Sequence, residues 1–170
     1  AGNSGQSSVC VAVGANAGQT GQGASAVAVG LNAGNSGQSS LGVAVGANAG
    51  QTGQGFDAIA IGSSAGNDSQ QANSVAIGNS AGVYTQGQYS VAIGLNAGNT
   101  NQGTNAIAIG YNTGKSNQTG GSIALNASGV VLNPTVAGFF IRPIRGAALG
   151  IGVGVVKYNT STFELQYSTT

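Results

Sequence analysis

The chain has 170 residues, only 4% of them charged, with a net charge of +1, no histidine and one cysteine. Soluble domains usually carry about 25% charged residues, so this is not an ordinary enzyme surface, and acid–base pairs, catalytic triads and transition-metal sites lack their raw material. Lys115, Arg142, Arg145 and Lys157 make no basic stripe, which argues against nucleic acid and anionic membrane surfaces as partners. The apolar stretch from Gly146 to Val156 falls short of the ~20 residues a membrane helix needs, so no membrane insertion is expected, and no cofactor, metal or enzymatic activity either.

From the N-terminus onward, a glycine follows a Val/Ile-Ala-Val/Ile triplet at Gly14, Gly30, Gly46, Gly62, Gly78, Gly94 and Gly110, a spacing of 16 residues without insertion or deletion. A clock of this kind marks a solenoid. The register already holds at Ala1, as expected of a piece of something longer. Helix is excluded because the apolar residues alternate with period two and each turn carries several glycines. Disorder is excluded because branched aliphatics recur at fixed phase. The spacing therefore predicts an all-β parallel β-solenoid, a β-roll of eight coils over residues 1–129, each coil being two short strands and two bends.

The first strand of each coil is the triplet. Two apolar rows flank its central alanine: Val11, Val27, Val43, Ile59, Val75, Val91 and Ile107, then Val13, Val29, Val45, Ile61, Ile77, Ile93 and Ile109. These rows are expected to form the apolar spine of the coil interior, with Ala12, Ala28, Ala44, Ala60, Ala76, Ala92, Ala108 and Ala124 on a flat outer face that another chain can approach. The bend after the glycine takes Asn or Ser, as at Asn16 and Ser64, where a short polar side chain bonds local backbone. The second strand ends in Gln22, Gln38, Gln54, Gln70, Gln86, Gln102 or Gln118, a row able to form an amide ladder between stacked coils. A variable bend such as Gly103-Thr104-Asn105 closes the coil. A core this thin offers little apolar area against the entropy of ordering the chain, so several copies are expected to bundle around the long axis. Cys10 has no internal partner and reads as a buried or incidental thiol.

The period fails after Asn126, and Pro134 soon removes a backbone donor. Residues 130–170 are read as a C-terminal capping and chain-registering segment. Phe139, Phe140 and Ile141 are the densest bulky cluster and are expected to plug the open end of the spine. Val155–Tyr158 and Phe163–Tyr167, separated by Asn159–Thr162, read as a β-hairpin. Arg142 and Arg145 read as edge cover or salt-bridge residues rather than a ligand site. Phe56, Tyr84, Tyr89 and Tyr111 lie at or near the bends, where aromatics serve either as interface packing or as platforms for sugars. A flat threonine array of the ice-binding kind would need Thr along the row Ser4, Thr20, Ser36, Thr52, which Asp68 and Tyr84 interrupt.

At Ser74-Val75-Ala76-Ile77-Gly78 and Ser90-Val91-Ala92-Ile93-Gly94 the sequence resembles the head repeats of trimeric autotransporter adhesins. That resemblance implies a homotrimer of left-handed parallel β-rolls, although the repeat here is longer than the family's. The pattern Asn96-Ala97-Gly98-Asn99-Thr100-Asn101-Gln102-Gly103, with the stretches Gly138–Arg145 and Tyr158–Leu165, is similar to repeat proteins of large DNA viruses and to phage tail fibres. It implies a rigid fibre or spike segment at the virion surface, contributing to host attachment. The alternative is a bacterial surface adhesin head that binds glycan or matrix.

Overall fold

The computed structural model describes residues 2–143, 155–158 and 165–168, the last two segments by their backbone alone. In chain order the strands are β1 (Val11–Val13), β2 (Val27–Val29), β3 (Val43–Val45), β4 (Ile59–Ile61), β5 (Val75–Ile77), β6 (Tyr84–Gln86), β7 (Val91–Ile93), β8 (Thr100–Gln102), β9 (Ile107–Ile109), β10 (Ser122–Asn126), β11 (Gly138–Arg142), β12 (Val155–Tyr158) and β13 (Leu165–Ser168). There is no helix among the described residues. The protein is a parallel β-solenoid of about eight coils, about 16 residues per turn.

Short strands follow from tight corners. In the coil beginning at Val75, positive φ occurs at Gly78, Ser80, Gly82, Thr85 and Tyr89 (124°, 54°, 55°, 53° and 58°); most of these residues stand at bends between extended runs, and Thr85 lies within β6 itself. Asn, Ser and Gly hold most of these positions down the stack, since short polar or absent side chains tolerate the left-handed region best. Gly78 has a second reason to be glycine: a Cβ there would lie 2.7 Å from the Gly94 carbonyl oxygen of the next coil. At Asn48 (φ 58°), alanine is expected to cost about 1–2 kcal/mol through backbone strain, and glycine little. Thermal unfolding of the two variants checks this.

Coils stack through their backbones. Val27 N donates to Gly42 O in the following coil at 2.9 Å, and Gly30 N to Val13 O in the preceding one at 2.8 Å. The triplets form one nine-stranded parallel sheet in the order β1-β2-β3-β4-β5-β7-β9-β10-β11, with alanine against alanine and aliphatic against aliphatic, as in Val75↔Val91, Ala76↔Ala92 and Ile77↔Ile93. A second parallel ladder runs through Ser4, Thr20, Ser36, Thr52, Asp68 and Tyr84, and on through the β6–β8 pair to Thr100 and Ser116.

The polarity of the triplet is the reverse of the sequence expectation. Ala28, Ala44, Ala60, Ala76, Ala92, Ala108 and Ala124 are completely buried, as are Ala33, Ala49, Ala65, Ala81 and Ala97 of the facing wall. The Val and Ile rows expected as the interior spine lie on the outer face, half-buried or exposed, from Val11 and Val13 through Val27, Val29, Val43, Val45, Ile59, Ile61, Val75, Ile77, Val91 and Ile93 to Ile107 and Ile109. The reason is the cross-section. A Cβ added at Gly82 would lie 3.3 Å from Ala76 Cβ and 2.6 Å from Gln86 Oε1, so the two walls are about one methyl apart and a branched side chain has nowhere to go.

The C-terminal end also departs from expectation. The parallel sheet does not stop at residue 129, because β11 pairs with β10 in the same register, Ser122↔Gly138 to Asn126↔Arg142. The chain between them is irregular, with Leu132 bridging to Thr113, yet Pro134 is fully buried at the phase of the Gln row and Thr119 N donates to its carbonyl. Of the expected plug, only Phe140 takes the inward phase, opposite Ala124. Phe139 and Ile141 take the outward phase and are exposed. Strands β12 and β13 pair antiparallel, Val155↔Ser168 to Tyr158↔Leu165. The predicted loop Asn159–Thr162 and Arg145 lie outside the described residues.

Candidate interaction surfaces

With the interior filled by alanine, the longest buried side chains are the glutamines, Gln22 to Gln118. Each reaches across the coil to cap a backbone carbonyl. Gln54 Nε2 donates to Val43 O at 2.9 Å, to Ala58 O at 3.2 Å and to Gln70 Oε1 of the next coil at 3.2 Å, while its own Oε1 accepts from Gln38 Nε2 at 3.0 Å. The amide chain runs from Gln38 through Gln54 to Gln70 and again from Gln86 through Gln102 to Gln118. Between these runs it is interrupted, and Gln38 Oε1 and Gln86 Oε1 have no donor. The row ends at Pro134, which carries no amide side chain. An outer amide ladder, Asn16 to Asn32 to Asn48, accompanies it on the corner.

The outer face of the nine-stranded sheet is the main surface feature. It presents two unbroken aliphatic rows, with Val11 and Val13 at one end and Phe139 and Ile141 at the other. Contiguous apolar faces of this kind mark interaction sites. A groove of ≈ 420 Å³ at the C-terminal end is lined by Ile109, Leu125 and Ile141 of one row together with Gly110, Asn126, Arg142, Ala127 and Pro143. The face therefore continues around the corner onto the residue after each glycine. That column was not singled out in the sequence, although Leu31 and Leu95 stand in it beside Tyr111.

The four aromatics do not converge. Tyr84 stands on the second ladder between Asp68 and Thr100, Tyr111 follows Gly110 at the corner beside the aliphatic face, and Phe56 and Tyr89 belong to the variable bend, two coils apart. All four are about half exposed. Cys10 occupies an inward phase, held in other coils by Ala26 and Ala58, and its Sγ donates to Gly23 O at 3.0 Å. Among the described residues no His, Cys, Asp or Glu cluster could hold a metal, and no helix is long and apolar enough to cross a membrane.

Comparison with known proteins finds no matching family, no matching curated protein and no matching solved structure.

Proposed function

We propose that the chain is a rigid structural segment of a virion fibre or spike, acting as a homotrimer whose copies pack through the Val and Ile face. The observation that carries this reading is that face itself: coil after coil carries its Val and Ile pair on the outside of the rod and keeps mostly alanine and glutamine, with a few serines, within. A single chain leaves that area in water, at a cost of ~25 cal/mol per Å². A second or third copy recovers it. The rod's stiffness comes from backbone hydrogen bonds running along its axis, and the scarcity of ionisable side chains suits a mechanical role better than a catalytic one. Threefold symmetry and left-handed coiling rest on the resemblance to adhesin heads, and the virion setting on the resemblance to viral repeat proteins.

Sedimentation equilibrium tests the reading. A mass of three chains is expected, and a stable monomer at micromolar concentration removes its basis. Replacing Val75 and Val91 with serine is expected to lower the mass toward one chain while the β signal of the coil persists, since full burial of each valine contributes about 1.5–3 kcal/mol. The alternative, a bacterial adhesin head binding glycan or matrix, would need the aromatics to act singly. Silence on a glycan array, together with tyrosines buried between copies, excludes it.

A further inference from the structure

The Val and Ile face repeats with every coil, so two copies laid against each other fit almost equally well after a slip of one coil, ~4.8 Å. Such uniformity selects a partner but leaves its level open, the degeneracy that makes uniform strands prone to slippage. The column beside the face does not repeat. It carries large side chains at Leu31, Leu95 and Tyr111, 51%, 45% and 46% exposed, and small or polar ones at Ala47, Ser63 and Asn79. The C-terminal groove places this column and the aliphatic row on one surface, where Ala127 and Pro143 line the same cleft as Ile109 and Leu125. On the variable bend, Leu41 and Tyr89 stand out in the same way from Asp57 and Asn73, which share their phase.

Granting the association proposed above, we propose that these uneven borders lock copies of this chain at one axial level, with Leu31, Leu95 and Tyr111 setting it. The occupant of the face is a second copy, since an identical rod presents an equally apolar face of the same length with its ridges at the same ~4.8 Å pitch. Nine strands by three outward positions make a face of very roughly 500 Å², the same order as the ~800 Å² on one side of a standard interface. No charged side chain stands in the Val and Ile rows, so nothing in them asks for a partner of opposite charge. In register each of these side chains meets its own level in the other copy, whereas a slip of one coil carries Leu31 to the level of Ala47 and Tyr111 to that of Ala127, leaving gaps that forfeit packing contacts.

The test uses thiol pairing in a Cys10→Ala background, alanine being the residue at that phase in Ala26, Ala58 and Ala106. One version carries Val75→Cys and the other Val91→Cys, paired neighbours one coil apart in the sheet. The two are co-expressed with different tags and treated with a short bis-maleimide. Products joining position 75 to 75 and 91 to 91 are expected to exceed the 75-to-91 product by roughly tenfold, equivalent to about 1.4 kcal/mol. Adding Leu31→Ala, Leu95→Ala and Tyr111→Ala is expected to bring the ratio toward one without loss of fold, since Ala15, Ala47 and Ala127 already occupy that column. Equal products with the native borders, a ratio unmoved by the alanine variants, or an oligomer that yields no linked product would each overturn the lock. A single-chain mass by sedimentation is a different result: it overturns the association, and the lock with it.

Discussion

Gln54→Leu is expected to unfold or severely weaken the solenoid, although glutamine-to-leucine exchanges on a surface are nearly neutral. The substitution leaves Gln70 Oε1 without its donor, takes the side-chain donor from Val43 O and a second donor from Ala58 O, which keeps the backbone N–H of Val43, and removes one of the acceptors that Gln38 Nε2 uses. A buried polar group left without a partner costs about 1–3 kcal/mol and each further hydrogen bond lost about 0.5–1.5 kcal/mol, so the loss is on the order of 2–5 kcal/mol, a large part of the ~5–15 kcal/mol that holds a typical domain together. The exposed Gln71 is the control, where leucine should change stability by no more than about 0.5 kcal/mol. Denaturant unfolding at fixed protein concentration reads both variants. A loss at Gln54 no greater than at Gln71 would mean that the glutamine row is decoration rather than the internal frame.

The second large effect is expected at Ala92. It is fully buried, lies between Ala76 and Ala108 in the sheet, and faces Gly98, where an added Cβ would already sit 3.0 Å away. Leucine at this position adds three heavy atoms to a space that lacks room for one. Overpacking costs typically ~1–3 kcal/mol and more where nothing can yield; here the backbone of neighbouring coils stands on every side, so the upper end or outright failure to fold is expected. Val91→Leu, one residue away on the outer face, should cost less than ~1.5 kcal/mol and leave circular dichroism unchanged. The contrast between adjacent residues is the diagnostic quantity. If leucine were tolerated at Ala92 and disruptive at Val91, the triplet would have to be turned inside out.

That reversal is also where sequence reasoning fell short. Period-two alternation divides a triplet into one residue on one side and two on the other, but it does not say which side is the interior. The preference of Val and Ile for burial pointed inward. It lost to the geometry of a coil whose walls approach to within a methyl group at the triplet, where the central position has room for alanine and not for a branched side chain. The glutamine row was legible as a fixed phase, and a stacked amide ladder followed from that. Its main service, donating across the coil to carbonyls such as Val43 O, was not legible, because the partner lies across a corner whose closure the linear pattern does not describe. At the C-terminus the motif vanished after Asn126 while the backbone kept its count, with Phe140 replacing alanine opposite Ala124. Pattern matching sees residue types; the ladder needs only backbone groups at the right spacing.

The chain's repeat length, its parallel stacking, its corner positions and its poverty in chemistry were all set down in the order of residues, because each follows from local rules: positive φ wants Gly, Asn or Ser, alternation makes strands, and identical coils stack. Which residues line the interior and how far the sheet continues were decided only when the coil closed. Closure brings residues from opposite walls together and sets the width between them, and that width leaves room for alanine and glutamine inside and puts valine and isoleucine on the outer face.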